Sequence, residues 1–210
     1  MSLSPTPSQT VGPFFHIGLP APATTELVSP DHAGAVRIVG VVFDGNGEPV
    51  SDALLEIWQA NSAGRYSHPE DPRDEIPREH GFKGFGRCAT DAEGRFEFVT
   101  VKPGPVPGPD SRMQAPHIDV SVFARGLLKR LVTRVYFPDE AKANDADPVL
   151  SMIRDPEVRA TLVAREEDGA LRFDIHLQGE RPREGAEGSA GRRRWGRRDP
   201  HRRRRPACPA

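Results

Sequence analysis

The chain has 210 residues, enough for one domain with a real core and too few for two large ones. Its 22 Pro and 20 Gly disfavour long helices and favour short strands joined by turns. The net charge of −1 is uneven: residues 180–210 hold 11 Arg against 4 acidic residues (+7), and the remaining 18 basic and 26 acidic residues leave a body at −8, which excludes a nucleic-acid-binding surface as the expected role.

Residues 1–35 are rich in Pro, Ser and Thr and read as an extended arm. Its segment "TPSQTVGPFFHIGL" carries Phe14, Phe15, Ile17 and Leu19, too much apolar surface for a free tail, so the arm is expected to pack on its own body or on a partner. "VRIVGVVFD" (36–44) reads as a strand, closed by the turn sequence "DGNGEPV". "ALLEIWQA" (53–60) is a second strand. The polar, Pro/Gly-broken stretch that follows it is a loop of functional length. "RFEFVTV" (95–101) is a strand with Phe96 and Phe98 on one face, and a second long loop leads to the strand "HIDVSVFA" (117–124). "LVTRVYF" (131–137) is another strand, and Asp155 followed by Pro156 marks a helix start. "LRFDIHLQG" (171–179) alternates cleanly, with Leu171, Phe173, Ile175 and Leu177 on one face. Many short strands with little helix predict an all-β fold, a β-sandwich.

From Glu180 the composition turns to Arg, Pro, Gly and Ala, so residues 181–210 are expected to be a disordered tail or the product of a shifted reading frame. Cys88 and Cys208 cannot make a disulfide framework, and two free thiols in a reducing compartment are expected. The sequence has no run of 18 apolar residues and no secretory-type start, which predicts a soluble, cytoplasmic protein.

The stretch "MQAPHIDVSVFARG" raises the question of a metal. His117 and Asp119 are two apart, so on a strand they share a face. His68, His80, His16 and His176 have no mutual ligand spacing and read as surface or packing residues.

Five separated stretches, "GNGEPVSDALLEIWQANSAGRY", "KPGPVPG", "APHIDVSVFARG", "TRVYFPDEA" and "RFDIHLQGE", together resemble the intradiol ring-cleaving dioxygenases, over about Thr6 to Glu180. The resemblance is strongest to members that act on protocatechuate and O2 and are built from paired alpha and beta chains. The N-terminal "TPSQTVGPFFHIGL" resembles the alpha type. The resemblance implies an intradiol-type β-sandwich (36–180) with long loops and an N-terminal arm.

In the catalytic chain of that family, two Tyr and two His hold Fe(III). By position the first Tyr is Tyr66 here, the second is replaced by Val106, the first His is His117, and the second is replaced by Asp119. An Arg three residues before the first His is Gln114. Val106 has no lone pair to donate, so the resemblance implies a decayed iron site and no metal or catalytic residue in this chain. Tyr66 is then expected to pack in its loop, and His117 to hydrogen-bond a neighbouring strand or Asp119.

What remains is implied on the substrate side. Gly12, Pro13 and Phe14 match the segment of the alpha chain that lines the pocket of the partner, with Phe14 where the family has Tyr. Arg125 matches an Arg that reaches the substrate region, where a guanidinium could hold a carboxylate. The expected partner is a beta-type chain that carries the Fe(III). Two other readings stay open: a self-sufficient dioxygenase using Tyr66, His117 and Asp119, and a non-catalytic β-sandwich binding module.

Overall fold

The computed structural model describes residues 24–108 and 111–178, with Thr10 and Gly12. The expectations for Pro13 and Phe14, for the rest of the apolar arm, for Cys208 and for the tail fall outside the described residues.

Two sheets are built from short strands. The first centres on β1 (Ala35–Phe43), which pairs antiparallel with β4 (Arg95–Val101), from Ala35 opposite Val101 to Val41 opposite Arg95. β10 (Ala170–Arg172) and then β11 (Ile175–His176) run parallel to β1, and β9 (Arg165–Glu167) adds to β10. The second sheet has the order β3 (Phe85–Ala89), β2 (Leu54–Trp58), β7 (His117–Phe123), β8 (Leu131–Tyr136), antiparallel throughout. A small ribbon pairs β5 (Val106–Pro107) with β6 (Met113–Gln114). The arrangement is the expected β-sandwich.

Alternation explains the layering. Ile38, Phe96, Phe98, Phe173 and Ile175 from one sheet meet Leu55, Ile57, Ile118, Val120 and Val135 from the other. Each such side chain removed from water contributes about 2 kcal/mol. The buried Gln59, just past β2, clasps the layers: its amide donates to the Val101 carbonyl at 2.9 Å and its oxygen accepts from the Thr100 hydroxyl at 2.8 Å. Every polar group in that clasp has a partner, so burial costs little.

Two local expectations need correction. The described stretch 171–178 is not one strand: the Phe173 N–H still donates to the Val39 carbonyl at 2.8 Å, but the ladder with β1 is interrupted at Asp174 before it resumes at Ile175. There the Asp174 carboxylate accepts from the Val41 N–H at 3.0 Å, replacing a ladder hydrogen bond. Gly40 allows this close approach, because a Cβ there would lie 2.0 Å from the Phe173 carbonyl oxygen. A short helix α1 (Ala141–Ala146) also forms after β8, which the sequence did not signal. The helix expected after Asp155 is present as α2 (Pro156–Ala160), with the Asp155 side chain accepting from the Glu157 N–H at 2.9 Å.

Candidate functional site

The alternation that sends Ile118, Val120 and Val122 into the core turns His117, Asp119 and Ser121 to the outer face of the second sheet. The register then decides their neighbours. Trp58 of β2 lies opposite Asp119 on one side, Arg134 of β8 on the other, and Tyr136 lies opposite His117.

The two loops that carry Tyr66 and Val106 are pressed together over this face. The Gly104 N–H donates to the Asn61 carbonyl at 2.9 Å. Gly64 has φ of 85°, and a Cβ there would lie 2.4 Å from the Pro105 oxygen; one on Gly104 would lie 2.5 Å from the Gly64 nitrogen. Only glycine fits both positions without displacing a loop. Tyr66 stacks on Trp58, rings nearly parallel at 5.9 Å, and the Arg73 guanidinium lies 5.9 Å from the Tyr66 ring centre. The Asp71 carboxylate locks the loop, accepting from the Tyr66 N–H at 2.8 Å and from the Arg73 side chain at 2.6 and 2.9 Å. The buried Val106 pairs opposite Gln114.

Arg134 joins these pieces. Its Nε donates to Asp119 Oδ1 at 2.9 Å, and Nη1 donates to Gln114 Oε1 at 2.8 Å and to the Tyr136 hydroxyl at 3.4 Å. Tyr136 in turn donates to Asp147 at 3.1 Å, and the fully buried Asp147 carboxylate also accepts from the Ala115, Val149 and Leu150 N–H groups. His117 is buried, with Nδ1 2.7 Å from the Ala115 carbonyl and Nε2 4.0 Å from Asp119. Its ring nitrogen thus bonds its own segment rather than a neighbouring strand.

The electrostatics follow from burial. The Tyr66 phenol is pushed up by desolvation and by the Asp119 charge, and burial pushes Tyr136 up to about 12. Burial lowers the His117 imidazole, which therefore stays neutral. Arg73 holds the Asp71 carboxyl well below the usual carboxylate range. Both tyrosines keep their protons at neutral pH.

A dioxygenase family model matches residues 12–179. The protocatechuate 3,4-dioxygenase alpha chain of Pseudomonas putida is 44% identical over 194 residues, covering 85% of this chain and 94% of its own length. The beta chain of the Burkholderia cepacia protocatechuate 3,4-dioxygenase is 42% identical over 153 residues, covering 69% of this chain and 64% of its own. The dioxygenase domain of a carbohydrate-binding fusion from Streptomyces sp. SirexAA-E matches in structure with a TM-score of 0.52 at 29% identity, covering 84% of this chain and all of that one.

The chain belongs to the intradiol dioxygenase family. Intradiol dioxygenases are ferric-iron dependent, and the donor set of this chain does not fit that ion. Val106 offers no donor. Asp119 Oδ1 accepts from Arg134 and Tyr66 lies flat on Trp58, while His117, with Nδ1 bonded to the Ala115 carbonyl, keeps Nε2 as a single imidazole donor. Among the described residues no group of three or more His, Cys, Asp and Glu is placed to hold a metal.

The structure brings Tyr66, Val106, His117 and Asp119 to one end of the second sheet and leaves Arg125 at the other. β7 alone separates them by roughly 20 Å. Arg125 is exposed and ion-paired through Nε with Asp52, whose other oxygen is buried without a partner among the described residues. Gly12 has φ of 65°. His68 packs edge-on against Trp58 and His176 stacks on Phe43, both packing roles as expected. Arg134 and Asp147 were not singled out from the sequence. The signal was there for Arg134: in "LVTRVYF" it is the one charge, on the same face as Tyr136. No helix of the described residues is long and apolar enough to cross a membrane.

Proposed function

We propose that this chain is the alpha-type, non-iron-binding subunit of a protocatechuate 3,4-dioxygenase. Its beta-type partner holds the Fe(III), and the assembled enzyme uses O2 to open protocatechuate between its two hydroxyl-bearing carbons, giving 3-carboxy-cis,cis-muconate. The observation that carries this reading is the alpha-chain identity of 44% over nearly the full length of the relative, joined to an own centre that does not fit iron. The name of the beta-chain relative supports a second, homologous partner.

In this reading the alpha chain works at the partner's site rather than its own. Arg125 binds and orients the substrate carboxylate by charge-assisted hydrogen bonds. The distance of Arg125 from the remnant centre of its own chain supports that role, because one small aromatic acid cannot span the length of β7. Gly12, Pro13 and Phe14 form a wall of the partner's pocket; the described end of the arm packs on this chain's own body, where Leu27 and Val28 are buried and the Leu27 N–H donates to the Val99 carbonyl at 2.8 Å. The absence of an aromatic hydroxyl at Phe14 removes one polar contact while keeping the ring. The protein is cytoplasmic in this account.

Co-expression with the beta-type chain of the same source tests the reading. The two chains should co-purify and show protocatechuate-dependent oxygen uptake, with neither chain alone matching the pair. A beta-type chain that is fully active without this one, and does not bind it, would remove the proposal.

A further inference from the structure

We propose, on the substrate-side reading of Arg125 given above, that Asp52 is a positioning residue: it holds the Arg125 guanidinium by Nε and so leaves the Nη groups for the substrate carboxylate. β2 and β7 run antiparallel with Leu54 opposite Phe123, and two residues further out the same register sets Asp52 opposite Arg125. Period two places both on the outer face of the second sheet, the face that carries Trp58 and Asp119 at its other end. The ladder has ended at this point, and the contact between the two chain segments passes to side chains, with Arg125 Nε paired to Asp52 Oδ2.

Both partners are anchored by their neighbours. The Ala53 N–H donates to the hydroxyl of the buried Thr90 at 3.0 Å, the Thr90 N–H donates to the Ala53 carbonyl at 2.9 Å, and the same hydroxyl donates to the Val50 carbonyl at 2.8 Å. Ala124 is buried, and the chain then turns through Gly126, at φ of 80°, with the Leu127 N–H donating to the Ala124 carbonyl at 3.3 Å. The side chains differ in exposure, 16% for Asp52 and 65% for Arg125, so the carboxylate is set back and the guanidinium is open to solvent. The second Asp52 oxygen is buried without a partner among the described residues, so the ion pair is what fixes this carboxylate's use. An arginine anchored through Nε keeps its two Nη groups as a planar fork, the geometry that a carboxylate accepts in bidentate fashion. A free arginine gives up its rotamer freedom when the substrate binds; one held by Asp52 has given it up beforehand. The Nη groups face water, which screens the opposing charge of Asp52, so the ordering decides the sign.

The test uses the full chain assembled with its beta-type partner and compares protocatechuate with catechol, which has no carboxylate. Asp52→Asn is expected to raise KM for protocatechuate at least about threefold, with kcat within about twofold of wild type and KM for catechol unchanged. Arg125→Ala should raise the same KM at least about tenfold, and adding Asp52→Asn to it should change nothing further, because Asp52 acts only through Arg125. If R125A raises KM but D52N leaves it unchanged or lowers it, the positioning role is overturned and the reading of Arg125 stands. An R125A enzyme with the wild-type KM removes that reading and the inference with it. A D52N loss that persists in the R125A background, or that falls equally on catechol, makes Asp52 structural only and also overturns the inference. Should D52N not assemble, Asp52→Glu decides on the same readouts. It keeps the charge but moves the carboxylate by one methylene, so a rise in KM confined to protocatechuate and absent in the R125A background is expected, and no such rise would overturn the inference.

Discussion

Asp119 and Arg134 face each other across β7 and β8 and share a hydrogen bond of 2.9 Å. The pair is half-buried, with Arg134 side-chain exposure of 23%. Replacing Arg134 with Ala strands the Asp119 carboxylate and the Gln114 oxygen. A fully buried broken pair costs about 3–5 kcal/mol, and partial exposure reduces this to about 2 kcal/mol. Urea unfolding of R134A should show that loss without a change of fold.

Gly64 and Gly104 hold the Tyr66 and Val106 loops in contact. An Ala at Gly64 meets both a left-handed backbone and the Pro105 oxygen, for a cost of about 2 kcal/mol or more. An Ala at Gly104 meets the Gly64 nitrogen with no strain of its own φ. G64A should lower the melting temperature and change Trp58 fluorescence, because Tyr66 no longer stacks on that ring.

The acid side of the stability profile should carry two steps. Burial depresses His117 in the folded state, so the unfolded chain binds the proton first. The stability this contributes is complete above the unfolded pKa, about 6.5, and is lost as pH falls towards the folded value. Asp71 is depressed as well, by Arg73 first, so its contribution is complete above about 4 and is lost only below that. Denaturant titrations at pH 7.5, 5.5 and 4 should show a fall between the first two for the wild type, and a smaller fall for H117Q. D71N should lose about 2 kcal/mol at pH 7, from charged hydrogen bonds to the Tyr66 and Arg73 groups.

Arg125 should matter to substrate binding in the assembled enzyme. A charge-assisted pair is worth about 1.5–3 kcal/mol, so R125A should raise KM for protocatechuate at least about tenfold with a small effect on kcat. Catechol, which has no carboxylate, should show no such rise. Asp52→Asn should act in the same direction through the loss of the ion pair that holds Arg125.

Much of this was legible in the sequence because strand alternation is a local signal. The core face of β7 and the Phe96, Phe98 face of β4 follow from period two alone. The loop containing Tyr66 was visible as a long Pro/Gly-broken stretch, though not the Asp71 lock that orders it. What stayed hidden depends on register. Nothing local says that Arg134 lies opposite Asp119 rather than Ser121, and that one-pair choice decides whether the centre carries its own cation. The break at Asp174 was hidden for a similar reason, because it depends on Gly40 of a distant strand.

In the proposed enzyme this chain serves a partner's iron and holds none itself. Metal analysis of the purified wild-type chain, after incubation with excess Fe(III) and removal of free ion, tests it most directly. Well under a tenth of an iron per chain and no visible absorption are expected. One iron per chain with a phenolate-to-iron band would contradict it, and would make Tyr66, His117 and Asp119 a working metal centre.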